Sequence, residues 1–154
     1  MTTANPLVVF ALDNQHYALH LPAVEKTVRM VAITPLPLAP AIVIGVINLH
    51  GLVIPVLNIR RRFRLPERGA RLSDQLIIAR TARRTVALAV DEVRGIIDNA
   101  AHQVVEPAAI VPGIEHLEGV VKMADGMIFI HDLDRFLSLD EEQALEAAIT
   151  RNEA

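Results

Sequence analysis

Residues 45–63, GVINLHGLVIPVLNIRRRF, return at a constant offset of 74 as GVVKMADGMIFIHDLDRFL, residues 119–137. Gly45, Val46, Ile54 and Arg61 meet Gly119, Val120, Ile128 and Arg135, and Asn58 meets Asp132. Upstream, LVVFALDNQHYALHLPAVEKTV at 7–28 returns as LIIARTARRTVALAVDEVRGII at 76–97, at an offset of 69. There Leu7, Ala18, Leu19 and Val24 align with Leu76, Ala87, Leu88 and Val93. Two blocks in the same order, with their apolar positions in step, define an internal duplication. The change of offset places an insertion between the blocks.

Each copy reads as strand, turn, strand, variable connection, strand, turn, strand and one helical turn. Tyr17, Leu19 and Leu21 alternate with Ala18 and His20, the period of a half-buried strand. Val8–Phe10, Gln75–Ala79 and Thr85–Val90 are short runs bounded by turn residues. His50-Gly51 and Asp125-Gly126 are tight-turn signals at equivalent places in the two copies. After each hairpin, Ile59 and Phe63, or Leu133 and Leu137, fall on one helical face, with Asn58 and Asp132 as N-caps. The expected fold is mainly β: two small antiparallel barrels of about five strands each, from repeat halves 7–63 and 76–137. A C-terminal helix over about 139–151 follows. Ser138-Leu139-Asp140-Glu141 is its capping box, and Leu145, Ala148 and Ile149 share its apolar face. Whether the halves stand apart or exchange strands is left open by the pattern.

A chain of 154 residues buries roughly 70% of its unfolded surface and needs no staple. Cysteine is absent, which removes disulfides, thiolate metal sites and thiol catalysis together. The formal charge of −3 is ordinary, but its distribution is not. Ten of the fifteen basic residues lie between Arg60 and Arg94, while Asp132, Asp134, Asp140, Glu141, Glu142, Glu146 and Glu153 crowd the tail. A basic middle and an acidic end can meet within one molecule. The opening MTTANPLVVFAL has no basic residue before its apolar run and does not read as a signal peptide. The long uncharged stretch from Val31 to Leu49 carries Pro35, Pro37 and Pro40, against a spanning helix. The expectation is a soluble, cytoplasmic protein.

The residues for catalysis do not assemble. His16 and His20 fall in one strand, about 13 Å apart at about 3.3 Å per residue, too far to share an ion. His50, His102, His116 and His131 have no spaced partners. Asp91 and Glu92 are adjacent and point to opposite faces of a strand, a poor acid–base pair. There is no phosphate-binding glycine loop, dinucleotide fingerprint or nucleophile elbow. The expectation is a protein that is no enzyme and holds no cofactor or metal. Basic residues from Arg60 to Arg84 give an alternative, a small barrel that binds nucleic acid. Such barrels stack bases on exposed aromatics, whereas the periodicity turns Tyr17 and Phe63 inward. A positive mean hydropathy with few charges instead implies exposed apolar patches, the mark of protein–protein contact.

The run ITPLPLAPAIVIGVINLHGLVIPVLNIRRRF at 33–63 resembles the central signature of the CheW family, the coupling proteins of bacterial chemotaxis. FALDNQHYALHLPAV at 10–24, VALAVDEVRGI at 86–96 and GVVKMADGMIFIHDLDRFLS at 119–138 resemble the same family in the same order. The resemblance covers about residues 7–140. It implies a single CheW-like domain over 1–154, made of two SH3-like β-subdomains. It also implies a non-enzymatic adaptor between methyl-accepting chemoreceptors and the regulatory domain of a CheA-type histidine kinase. Such an adaptor sits in the cytoplasm and is recruited to receptor arrays at the inner membrane, touching the membrane only through receptors. The receptor's cytoplasmic hairpin tip would dock in an apolar groove, a helix-in-groove contact.

By the same resemblance, Val24, Lys26, Thr27 and His50 are the receptor-groove candidates. Gly45, Val46, Asn58 and Arg60 are the kinase-interface candidates. Three positions depart from the family pattern: His50 stands for arginine in the NLRG turn, Asn58 for aspartate, and Lys26 for glutamate. Histidine is mostly neutral near pH 7, whereas arginine always carries its charge. The paired change at His50 and Asn58 reads as the loss of one ion pair, and the set points to a divergent paralogue in a pilus-type or other non-motility pathway.

Overall fold

The computed structural model describes residues 6–98, 104–105, 117–123 and 126–153. The first repeat forms β1 (Pro6–Leu12), β2 (Gln15–His20), β3 (Val24–Arg29), β4 (Val43–Leu49), β5 (Leu52–Leu57) and the helical turn α1 (Ile59–Arg62). The second forms β6 (Gln75–Arg80), β7 (Thr85–Val90), β8 (Glu92–Asp98), the two-residue β9 (Val104–Val105), β10 (Leu117–Met123) and β11 (Gly126–His131). A 3-10 turn at Leu133–Arg135 and helix α2 (Leu139–Glu153) complete the chain. His102, His116 and Asp125 lie outside the described residues.

The repeats exchange strands. One sheet runs β8-β1-β2-β11-β10-β9 and the other β3-β6-β7-β5-β4, so each SH3-like unit draws on both halves of the chain. The purely antiparallel expectation needs correction: β2 pairs with β11, and β5 with β7, in parallel. Alternation within a hairpin says nothing about how a hairpin from the other repeat will lie beside it. The five-strand expectation also gains a sixth strand in one sheet, where β9 adds Val105 opposite Val120. In the other sheet the same place is held by a single bridge, Thr34 opposite Val46.

Register carries the duplication down to single residues. Leu7 faces Ile97 and Val9 faces Gly95, and at the same offset Leu76 faces Val28 and Ile78 faces Lys26. Ala18 lies beside Ile130 where Ala87 lies beside Val56. Even the register shifts coincide, between Val43 and Gly45 on β4 and between Leu117 and Gly119 on β10. Because a one-residue slip would turn every apolar side chain outward, both copies keep one register.

Among the described residues, three cores follow from this arrangement. Leu7, Val9, Ala18, Val121, Ile128 and Ile130 fill one unit, and their equivalents Leu76, Ile78, Ala87, Ile47, Ile54 and Val56 fill the other. Between the sheets lies a shared core that includes Phe10, Tyr17, Leu19, Leu57, Ile77, Leu88 and Phe136. Here the copies differ in size: Phe10 and Tyr17 occupy positions that are Ala79 and Val86 in the second repeat. Large side chains from one sheet meet small ones from the other, which fills the shared layer at interior density. Tyr17 stacks on Phe63 at 4.4 Å, and Phe63 on His131 at 4.2 Å. The inward setting expected for Tyr17 and Phe63 is therefore met, with Phe63 partly buried against this core.

Helix α2 starts on its capping box: Glu141 N donates to Ser138 Oγ at 3.1 Å, and Ser138 N to Glu141 Oε1 at 2.8 Å. Leu145 and Ala148 are buried, and Leu145 joins the shared core. The basic middle and acidic tail meet here. Arg62 pairs with Glu141 at 2.5 Å, and Arg84 with Glu142 at 2.5 Å and Glu146 at 2.6 Å. Burial favours the neutral Glu141, but the Ser138 amide and Arg62 outweigh it and hold its carboxyl below the usual value.

Candidate interaction surface

The receptor-groove candidates sit on and near one edge strand. β3 ends its sheet, pairing with β6 on one side. Val24 is half-buried against the shared core, while Lys26 and Thr27 are exposed opposite Ile78 and Ile77. A register shift between Val24 and Lys26 kinks this edge, a common way of re-aiming side chains. His50 is apart from them, at the exposed tip of the β4–β5 hairpin. Its φ of 53° and the φ of 85° at Gly51 make a two-residue turn with both centres left-handed. Histidine tolerates that region better than most residues.

The kinase-interface candidates have a different character. Gly45 is buried, and a Cβ there would lie 2.4 Å from Thr34 O and 2.8 Å from Ile33 Cγ2. Only glycine lets the 30–42 connection close on β4. Val46 is half-buried, and its backbone exchanges both hydrogen bonds with Thr34 at 2.8 Å. Asn58 caps α1: its Oδ1 accepts from Arg61 N at 3.4 Å, and its Nδ2 donates to Glu67 Oε1 at 3.3 Å. His50 and Asn58 flank opposite ends of β5 (Leu52–Leu57), about 3.3 Å per residue along an extended strand. An ion pair between those two positions within one chain is therefore excluded by distance, which corrects the paired-loss reading.

Arg60 is turned inward. Only 6% of it is exposed, and its Nη2 reaches Asp91 Oδ1 at 2.7 Å and Asp13 Oδ1 at 2.9 Å. Its Nη1 donates to Pro66 O at 3.1 Å. Asp91 also accepts from the Asp13 amide at 2.7 Å and from Arg68, which in turn holds Asp74 at 2.8 Å. The network gathers the β1–β2 turn, α1, the 64–74 connection and the point where the chain leaves β7 for β8. Burial alone would raise the Asp91 and Asp74 carboxyls, but the guanidinium and amide donors outweigh it and hold both below the usual value. The Tyr17 phenol, next to Asp13, is pushed up to about 12, first by burial and then by that carboxylate.

Sequence reasoning did not single out the exposed apolar residues by number. Leu52 and Val53 are 57% and 59% exposed on β5, and Ile44 is 39% exposed on the adjacent β4. Ile96 and Met127, the second-repeat equivalents of Thr27 and Val53, are 61% and 51% exposed. The repeat offsets could have found them, since they pair each surface position with its twin. Among the described residues, no group of three or more His, Asp or Glu is placed to hold a metal. No described helix is long and apolar enough to cross a membrane.

The described chain is a strand-exchanged pair of SH3-like units that leaves Ile44, Leu52, Val53, Ile96 and Met127 exposed. The CheW-like domain family model matches residues 6–141, and the chain belongs to that family. It is 28% identical over 145 residues to the chemotaxis protein CheW of Treponema pallidum (strain Nichols), covering 90% of this chain and 85% of that one. It is 29% identical over 140 residues to the chemotaxis protein CheW of Rhizobium meliloti (strain 1021), covering 90% of each. The crystal structure of the scaffolding protein TtCheW from Thermoanaerobacter tengcongensis matches with a TM-score of 0.78 and 30% identity. That match covers 90% of this chain and 96% of the other.

Proposed function

We propose that this chain is a non-enzymatic adaptor coupling chemoreceptors to a CheA-type histidine kinase in bacterial chemosensory signalling. The observation that carries the reading is the family match over 6–141, together with the exposed apolar residues of β4, β5, β8 and β11. The relatives' own names, chemotaxis proteins and a scaffolding protein, point the same way. On this reading the β3 edge, with Val24, Lys26 and Thr27, and His50 at the separate β4–β5 hairpin tip meet a receptor's helical hairpin. The kinase regulatory domain meets the β4–β5 hairpin. Gly45, Asn58 and Arg60 act there from beneath, by shaping the connection, the cap and the network that hold the hairpin. The protein works in the cytoplasm at receptor arrays. Lys26, His50 and Asn58 favour a divergent pathway, pilus-type or otherwise non-motility.

The nucleic-acid alternative is not favoured by the side chains it needs. Arg60, Arg62, Arg68 and Arg84 are each held by carboxylates of this chain, and the aromatic stack of Tyr17 and Phe63 lies in the interior. A phosphate backbone would have to displace those partners. Titration of the full chain with the cognate kinase regulatory domain and with a receptor hairpin tests the adaptor reading. Saturable binding to at least one is expected, and binding to neither overturns it.

A further inference from the structure

Neither sheet comes from one repeat alone. The ladders β1–β8, β2–β11, β3–β6 and β5–β7 each join a strand of the first repeat to one of the second. Residues 64–74 are the single covalent link between the two. That link is mostly solvent-facing: Glu67, Gly69, Ala70, Arg71 and Ser73 are exposed, and Leu72 is 92% exposed. It is held by polar contacts and by Leu65, which packs against the shared core. Arg61 Nε pairs with Glu67 at 3.1 Å on the first-repeat side, and Arg68 holds Asp74 and Asp91 on the second.

We propose that a second copy of this chain is a binding partner by reciprocal exchange of repeats, with the link docked on both repeats, through Glu67 on one and Arg68 on the other, as the latch that favours the closed monomer. In the exchanged dimer the first repeat of each copy completes its sheets with the second repeat of the other. All four ladders and the three cores are kept, and only the link changes. Fully extended, residues 64–74 reach at most about 40 Å. The balance then rests on the link's conformation and on protein concentration, the usual terms of domain swapping. Because the latch is a set of partly exposed ion pairs, salt weakens it more than it weakens the cores.

The chain has no cysteine, so an engineered pair reports exchange cleanly. Ala11 on β1 faces Glu92 on β8, one from each repeat. The full chain carrying Ala11→Cys and Glu92→Cys is refolded at low and high concentration, oxidised, sized by light scattering and run denatured without reductant. Exchange predicts a concentration-dependent dimer that remains covalently dimeric after denaturation. It also predicts a severalfold larger dimer fraction with Arg68→Ala, or at high salt where that variant does not fold. A dimer that denatures to internally linked monomers, or a monomer at every concentration and salt, overturns the proposal. Neither result depends on whether a receptor or kinase binds.

Discussion

Arg60 donates to Asp91 across 2.7 Å, tying the helical turn after β5 to the residue where the chain crosses from β7 to β8. The two sheets thus share a charged joint as well as an apolar core. Asp91 is the better position to probe, because it also accepts from Arg68 and from the Asp13 amide. Asp91→Asn should cost about 2–3 kcal/mol, since two arginines lose a partly buried counter-charge. Urea denaturation of variant and parent measures it.

The same joint sets an acid limit. Asp74 and Asp91 titrate below their ordinary value of 3.8 in the folded chain. Their contribution is complete above that value and is lost as pH falls through the lower, folded values. Stability against urea should therefore drop steeply below about pH 4, and Asp91→Asn should flatten that limb. Equal slopes in parent and variant would remove Asp91 from the account.

Gly45→Ala should disturb the bridge between Thr34 and Val46, because the added carbon would lie 2.4 Å from Thr34 O. A cost of about 1–3 kcal/mol is expected, as for overpacking elsewhere. Hydrogen exchange at the Thr34 and Val46 amides should quicken first.

Leu38 is the opposite case. It is 68% exposed at φ 66°, after Pro37 in a turn closed by Ala39 N donating to Leu36 O. A side chain in that backbone region costs about 1–2 kcal/mol, which glycine avoids at some expense in unfolded-chain entropy. Leu38→Gly should leave the protein as stable or raise its stability by up to about 1 kcal/mol. Thermal melts decide it.

Much of this fold was legible in the residues. The offsets of 69 and 74 anticipated equivalent hairpins and both caps, and the Ser138–Glu141 pattern anticipated the α2 capping box. They could not show the exchange of strands, because pairing between hairpins leaves no mark on the alternation within them. The candidate positions divide in a similar way. Lys26, Thr27 and His50 reach the surface, as a binding role requires. Gly45 and Arg60 do not, because a motif shows which residues recur and not which way their side chains turn. Arg60 needs Asp13 and Asp91 to explain it, and both are remote in sequence. The departure at His50 remains testable: His50→Arg should tighten binding to a receptor hairpin by about tenfold if an acidic partner faces it. Unchanged affinity would leave the position as a turn residue.

The proposed coupling role is tested most directly by calorimetric titration of the unmodified protein. The cognate kinase regulatory domain and a receptor cytoplasmic hairpin are each titrated into it. Saturable, one-to-one binding to at least one of them is expected, weakened when Thr27→Asp or Val53→Asp places a charge on the exposed face of β3 or β5. Flat titrations with both partners, from a protein that is folded by circular dichroism, would contradict it.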